Sequence, residues 1–290
     1  MVSTPGQLFR ALVNKEKPLQ LAGTINAYSA MLAQQAGFKA IYLSGAGVAN
    51  ASFGLPDLGM TTLTDVCEDV RRITSAVNLP LLVDADTGFG GITNVARTIK
   101  ELSRAGAAGC HLEDQVTAKR CGHRPNKVLV SCEDMCEKIK AASDARKDHS
   151  FVIMARTDAL AVEGIESAIS RAERYIADGA DMIFAEAVHT IEDFKKFTSN
   201  LPVPVLANIT EFGKTPYFTV KQLENAGVSI VLYPLSAFRA MSKAALAVYE
   251  DIIKNGTQTN SVEKMQTRED LYTTLNYHEF ERRIDALNSK

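Results

Sequence analysis

The stretch PLLVDADTGFGGITNVARTIKELSRAGAAGCHLED, residues 80–114, holds one complete strand–helix–strand unit. PLLVDAD (80–86) is short and nearly continuous in apolar residues, and turn residues flank it, as expected of a strand covered on both faces. TNVARTIKELSRAG (93–106) puts Val95, Ile99 and Leu102 on one helical face and stops at Gly106. AGCHLED (108–114) returns to strand character. The same alternation recurs along the chain. LQLAGTI (19–25), AIYLSG (40–45), FVIMARTD (151–158), MIFAEA (182–187), PVLANIT (204–210) and SIVLYP (229–234) read as further buried strands, and GIESAISRAERYIADGA (164–180) as another helix. Eight such strands, with no GxGxxG after the first, favour an α/β fold of the (β/α)8 TIM-barrel type over an open doubly wound sheet. The segment before Leu19 is expected to cap the barrel as a helix. The tail from about residue 236 is expected to add two or three helices, with 1–290 forming a single domain.

Composition sets further bounds. A chain of 290 residues can bury a full core without cross-links. A net charge of −2 lacks the basic excess of a nucleic-acid-binding surface. The five cysteines are odd in number and irregularly spaced, which suits free thiols in a reducing compartment. The N-terminal residues lack the pattern of a secretion signal, and no apolar run is long enough to span a membrane, so a cytoplasmic location is expected.

Barrel enzymes carry their chemistry at the C-terminal strand ends. Here those ends read Ser44-Gly45, Asp84 and Asp86, Glu113-Asp114, Arg156 and Asp158, Glu186, then Asn208 and Thr210. A single Asp or Asn after a strand is as often a helix cap. Polar groups at six ends, five of them charged or amide, together point to a site. Asp84 and Asp86 are two apart on one strand and share a face. Oxygen ligands of this kind favour a hard cation, Mg2+ or Mn2+, with Glu113 a possible third. Arg156, Arg239 and Arg268 suit a bidentate grip on a di- or tricarboxylate. The loop DQVTAKRCGHRPNK (114–127) is long and basic, a candidate lid. Within it Cys121 stands between Arg120 and Gly122-His123, and cationic neighbours are expected to lower its thiol pKa. The remaining cysteines read as core or helix-face residues. Of the histidines only His123 has company that suggests chemistry; His111, His149, His189 and His278 read as structural or exposed.

KRCGH (119–123), continued by RPNK to residue 127, resembles the active-site loop of the isocitrate lyase and phosphoenolpyruvate mutase superfamily, its methylisocitrate lyase branch above all. YLSGAGVA (42–49), GLPDLG (54–59), LVDADTGFG (82–90), HLEDQ (111–115), VIMARTDALAVEG (152–164), LANITEFG (206–213) and LYPLSAFRAM (232–241) are similar to the same family, so the likeness runs over essentially the whole chain. It implies a lyase of the methylcitrate cycle in propionate catabolism that splits 2-methylisocitrate into succinate and pyruvate. Asp84 and Asp86 would hold Mg2+. Cys121 would be the acid, with Lys119, Arg120 and His123 beside it, and Tyr42 or Glu113 the base. Ser44, Gly45, Ala46, Gly122, Arg156, Glu186, Asn208, Ile209, Thr210, Arg239 and Arg268 would line the substrate site. The family often has Gly where this chain has Ala46, which matters if that position needs a glycine-only backbone. The resemblance also implies a homotetramer whose eighth barrel helix is exchanged between subunits.

Overall fold

Each apolar run forms a strand somewhat shorter than the run itself, because its last polar residues leave the ladder for the loops. The computed structural model describes residues 3–289. Eight parallel strands close a barrel in chain order: β1 Leu19–Gly23, β2 Ala40–Leu43, β3 Leu81–Asp84, β4 Gly109–Glu113, β5 Val152–Thr157, β6 Met182–Ala185, β7 Val205–Asn208 and β8 Ile230–Tyr233. Leu19 pairs with Ile230 and Leu21 with Leu232, which closes the ring.

Side chains alternate across each strand, and the barrel sorts them into two layers. Leu21, Tyr42, Leu82, Met154, Phe184 and Leu206 fill the interior. Ile41, Val83, Leu112, Ile153, Ile183 and Ala207 pack outward against the helices. The expected helix at 93–106 is Ile92–Arg104 and buries Val95, Ile99 and Leu102. Gly106 follows it at φ 95°, and its N–H donates to the Ser103 carbonyl at 3.1 Å. That left-handed turn lets the chain leave the helix directly into β4.

The helix Pro5–Lys15 begins at a capping box of Thr4 and Gln7. Its buried Phe9 and Val13 join the interior cluster, as a cap over the barrel should. By its contacts the chain forms two units, residues 1–236 and 237–290. The second carries most of the helix Ser236–Asn255, then Arg268–Leu275 and Tyr277–Asn288. The last two meet at Asn276, φ 53°, where Tyr272 and Tyr277 stack at 4.3 Å. Large apolar side chains remain exposed there, Leu246, Ile253, Phe280 and Ile284 among them. No helix among the described residues is long and apolar enough to cross a membrane.

Gly23, the last residue of β1, marks where the chain is tightest. A Cβ there would lie 1.7 Å from the Pro234 carbonyl oxygen, a backbone atom that cannot rotate away. Overpacking of ordinary core sites costs about 1–3 kcal/mol. Gly23→Ala is expected to exceed that range, and a wild-type melting temperature for this variant would contradict the packing described.

Candidate active site

The inward rows that fill the barrel continue to its mouth. Leu82 is followed by Asp84, Met154 by Arg156, Phe184 by Glu186 and Leu206 by Asn208, each two residues on and so on the same face. His111 and Glu113 belong to the same row on β4. His111 stacks on Tyr42 and meets the edge of Phe184, with ring centroids at 5.8 and 5.0 Å. The polar residues of the mouth are thus the top layer of the interior stack.

Arg156 stands at the centre of that layer. Its Nη1 is 3.3 Å from Glu113 Oε2, its Nε is 3.1 Å from Asp158 Oδ2 and its Nη2 is 3.8 Å from Glu186 Oε1. Its guanidinium carbon lies 5.3 Å above the centre of the Phe184 ring. Burial alone would raise the pKa of Glu186, but Arg156 and His123 hold it well below the usual range. Glu113 is fully buried and neither oxygen accepts a hydrogen bond. Burial raises its pKa well above the ordinary value despite Arg156 and Lys119.

Asp84 and Asp86 form the second focus. Asp84 Oδ2 accepts the Gly45 N–H at 2.9 Å, and Asp84 Oδ1 accepts the Asp86 N–H at 3.0 Å. Burial opposes its ionisation, yet His111, Lys119 and Arg156 bring Asp84 down to about 2. Burial and the neighbouring Asp84 push Asp86 up to about 6, against Lys119. The Lys119 ammonium is 4% exposed and bridges Asp86 at 2.5 Å and Asp57 at 2.6 Å. A Cβ on Gly45 would lie 3.0 Å from Asp86 Oδ1 and 3.1 Å from Asp84 Oδ2, so the glycine keeps open the space between these oxygens. Two all-oxygen carboxylates beside an open cradle, with Glu113 short of donors, suit a hard dication. No cluster of three or more His, Cys, Asp or Glu arranged to hold a metal occurs among the described residues. A cation here would complete its shell with water or substrate oxygens, as Mg2+ commonly does.

The loop after β4 folds back over this layer. Gly122 lies so close that an added Cβ would stand 2.2 Å from Glu186 Oε1 and 2.5 Å from Arg156 Nη2. His123 Nε2 is 3.1 Å from Glu186 Oε1, and its Nδ1 accepts the Lys214 N–H at 3.0 Å. Asn208 Nδ2 donates to Glu186 Oε2 at 3.3 Å, while its Oδ1 and the buried Thr210 stay at the same rim. The structure thus gathers Tyr42, Ser44, Gly45, Asp84, Asp86, Glu113, Lys119, Cys121, Gly122, His123, Arg156, Glu186, Asn208 and Thr210 at one end of the barrel. Ala46 sits in the helical turn Gly45–Gly47 and has no positive φ, so alanine meets no backbone penalty there.

One expectation is corrected, and four further residues are placed as follows. Burial raises the Cys121 pKa instead of lowering it, and the charges of Glu186 and Asp57 add to this; the His123 N–H and Arg156 oppose it. The cationic sequence neighbours do not dominate because Arg120 and Arg124 are exposed. Arg120 is fixed by its backbone, which exchanges hydrogen bonds with Gln115, and its side chain does not enter the buried cluster. The Ile209 side chain packs in the outer layer. Arg239 and Arg268 lie in the second unit, residues 237–290.

His111 was not expected here, although its spacing of two from Glu113 was a signal. Its Nε2 is 2.8 Å from the Tyr42 hydroxyl, which in turn faces Asp84 Oδ2 at 3.4 Å. We assign the Nε2–H tautomer, because Tyr42 then accepts from His111 and donates to Asp84. Burial lowers the His111 pKa to about 4, against the pull of Asp84. Burial and Asp84 raise that of Tyr42 well above 10.0.

The raised Glu113 pKa has a sign that can be tested. Below the ordinary value of 4.5 both folded and unfolded chains carry the proton, and nothing is lost. As pH rises from there toward the folded value, the unfolded chain releases the proton first and the fold loses stability. Glu113→Gln should therefore melt increasingly above the wild type between pH 4.5 and neutrality in metal-free buffer, with the gap closing near pH 4. A pH-independent gap would contradict the assignment.

The family model for phosphoenolpyruvate phosphomutase matches residues 9–253. A 2-methylisocitrate lyase of Salmonella typhimurium is 59% identical over 285 residues, covering 98% of this chain and 97% of that protein. Among solved structures, a 2,3-dimethylmalate lyase described as a PEP mutase/isocitrate lyase superfamily member superposes with a TM-score of 0.91 at 32% identity, over 99% of this chain and 96% of that one. A phosphonopyruvate hydrolase in complex with oxalate and Mg++ gives 0.86 at 30%, over 99% and 100%. With its barrel, its mouth of carboxylates and its KRCGH loop, the chain belongs to the phosphoenolpyruvate phosphomutase and isocitrate lyase superfamily.

Proposed function

We propose that this chain is a carbon–carbon lyase that cleaves 2-methylisocitrate to succinate and pyruvate. The carrying observation is the approach of Cys121-Gly122 to Arg156 and Glu186, beside the Asp84–Asp86 pair. That arrangement supports a proton donor, a carboxylate grip and a cation site acting around one small volume. Asp84 and Asp86 would hold Mg2+ or Mn2+, with Glu113 behind them. When bound, such an ion would neutralise the clustered carboxylates and stabilise the developing α-keto acid.

The chain's own residues supply the rest. Tyr42 relays the proton of the tertiary hydroxyl, taking it up as its own phenolic proton passes to Asp84 Oδ2. Its oxygen sits in a chain with His111 and Asp84, whereas Glu113 is engaged by Arg156. The bond between C2 and C3 then breaks, and the C3 fragment carries the charge as the aci-carboxylate of succinate. Arg156, Asn208, Thr210 and Ser44 bind the carboxylates, and preorganised donors of this kind are worth about 100- to 1000-fold each. The half-buried Cys121 thiol, kept protonated near neutral pH, gives its proton to the carbanion. The exposed apolar residues of the tail support a homotetramer in which tail helices pack on a partner subunit. Five free cysteines suit a cytoplasmic setting.

Pyruvate release from 2-methylisocitrate should be rapid with Mg2+ and stop with EDTA. Glyoxylate release from isocitrate should be slower, by about 10- to 200-fold for a one-methyl difference. Absence of both products would sink the reading. Cys121→Ser and Tyr42→Phe should each lower kcat by about 100- to 10,000-fold with substrate still bound. Undiminished turnover in Tyr42→Phe would move the base to Glu113.

A further inference from the structure

Lys127 takes no part in the chemistry above, yet its side chain is 2% exposed. Its Nζ donates to the Gly122 carbonyl at 2.6 Å and to Asp158 Oδ1 at 2.6 Å. A buried ammonium is costly unless acceptors surround it, so these two contacts fix where the side chain can stand. Both lead to the site. Asp158 is fully buried and holds Arg156 Nε through its other oxygen at 3.1 Å. Asp158 is itself anchored, because its N–H donates to Asp114 Oδ1 at 2.9 Å. Asp114 also accepts from Thr157 at 2.8 Å and Tyr175 at 3.0 Å. Gly122, the other acceptor, follows Cys121 and leaves no room for a Cβ against Glu186 and Arg156. The turn between them is closed by the Arg124 N–H on the Cys121 carbonyl at 2.8 Å.

From these contacts we propose that Lys127 is a positioning residue: one ammonium ties the Cys121-Gly122 segment to the carboxylate that aims Arg156, and so fixes the thiol relative to the substrate grip. The proposal rests on the reading of Cys121 as the proton donor. Without the ammonium the Gly122 carbonyl and Asp158 lose a shared donor, and nothing else described ties that carbonyl down. The thiol then samples a wider volume and delivers its proton less often, while Arg156 keeps Glu113 and Glu186 as partners.

The test uses the full chain with Lys127→Met, Lys127→Gln and Lys127→Arg. Three quantities are read: kcat and KM on 2-methylisocitrate with Mg2+, and iodoacetamide alkylation of Cys121 relative to Cys132 in the same sample by peptide mass spectrometry. A displacement of about 1 Å costs on the order of 100-fold, so Lys127→Met should lose about that factor in kcat, with KM changed by about threefold at most. Its Cys121-to-Cys132 alkylation ratio should rise by about tenfold as the loop loosens. Lys127→Gln, which keeps a donor for one acceptor, should fall between Met and wild type, and Lys127→Arg should recover most of both readouts. A folded Lys127→Met with kcat within twofold or so of wild type and an unchanged ratio would overturn the proposal. Failure of all three variants to fold would overturn it too, since Lys127 would then serve the fold alone. If the wild type does not turn over 2-methylisocitrate, the functional reading falls, while the alkylation ratio still reports whether Lys127 holds the loop.

Discussion

Arg156 is buried among Glu113, Asp158 and Glu186, within 3.3, 3.1 and 3.8 Å of their oxygens. Desolvating so many like charges in so small a space is unfavourable without a cation among them. The guanidinium suits the task because it is planar, permanently charged and able to serve several acceptors at once. Its position follows from β5, whose inward row runs Val152, Met154, Arg156. Much of the mouth depends on it: Glu186 stays ionised because of Arg156, and Asp158 is oriented by it. Gly122, lacking a Cβ, fits against Glu186 and Arg156.

The balance is nonetheless incomplete. Asp57, Asp84, Asp86, Glu113, Asp158 and Glu186 are met by Lys119, Lys127 and Arg156, so carboxylates outnumber cations at this end. Burial first, and neighbouring carboxylates after it, raise Asp86 and Glu113, while His111, Lys119 and Arg156 hold Asp84 down. Lys119 relieves part of the surplus from the loop, where it reaches Asp57 and Asp86 together. The cradle beside Gly45 is where a further positive charge would relieve more.

The barrel was legible in the sequence because buried parallel strands write themselves as short apolar runs, and eight of them leave few topologies. The strand-borne half of the site was legible for a related reason: Asp84, Arg156 and Asn208 stand two residues beyond core positions on known strands. His111 obeyed the same parity and was missed because a histidine inside a strand reads as packing. What local pattern does not encode is where a loop returns. Lys119 meets Asp57 from 62 positions away and Lys127 meets Asp158 from 31 away, pairings made by strand ends and loops meeting at the mouth of the barrel. The same limit explains Cys121. Its neighbours in sequence are arginines, but its neighbours in space are a buried wall and Glu186, so the expected direction of its pKa reversed. The alternation that sent Lys119 inward and Arg120 outward also depends on the path of the loop.

The single inward row shared by core and site has a further consequence for how such a protein can change over generations. Leu82, Met154, Phe184 and Leu206 hold the ring closed, while the residues two places on face the open end. Mutation at the upper positions alters what is bound while the lower layers keep the scaffold intact, so selection for new chemistry and selection for persistence act on different rungs of the same strands. A lineage built this way can exchange one reaction for another without passing through an unfolded ancestor.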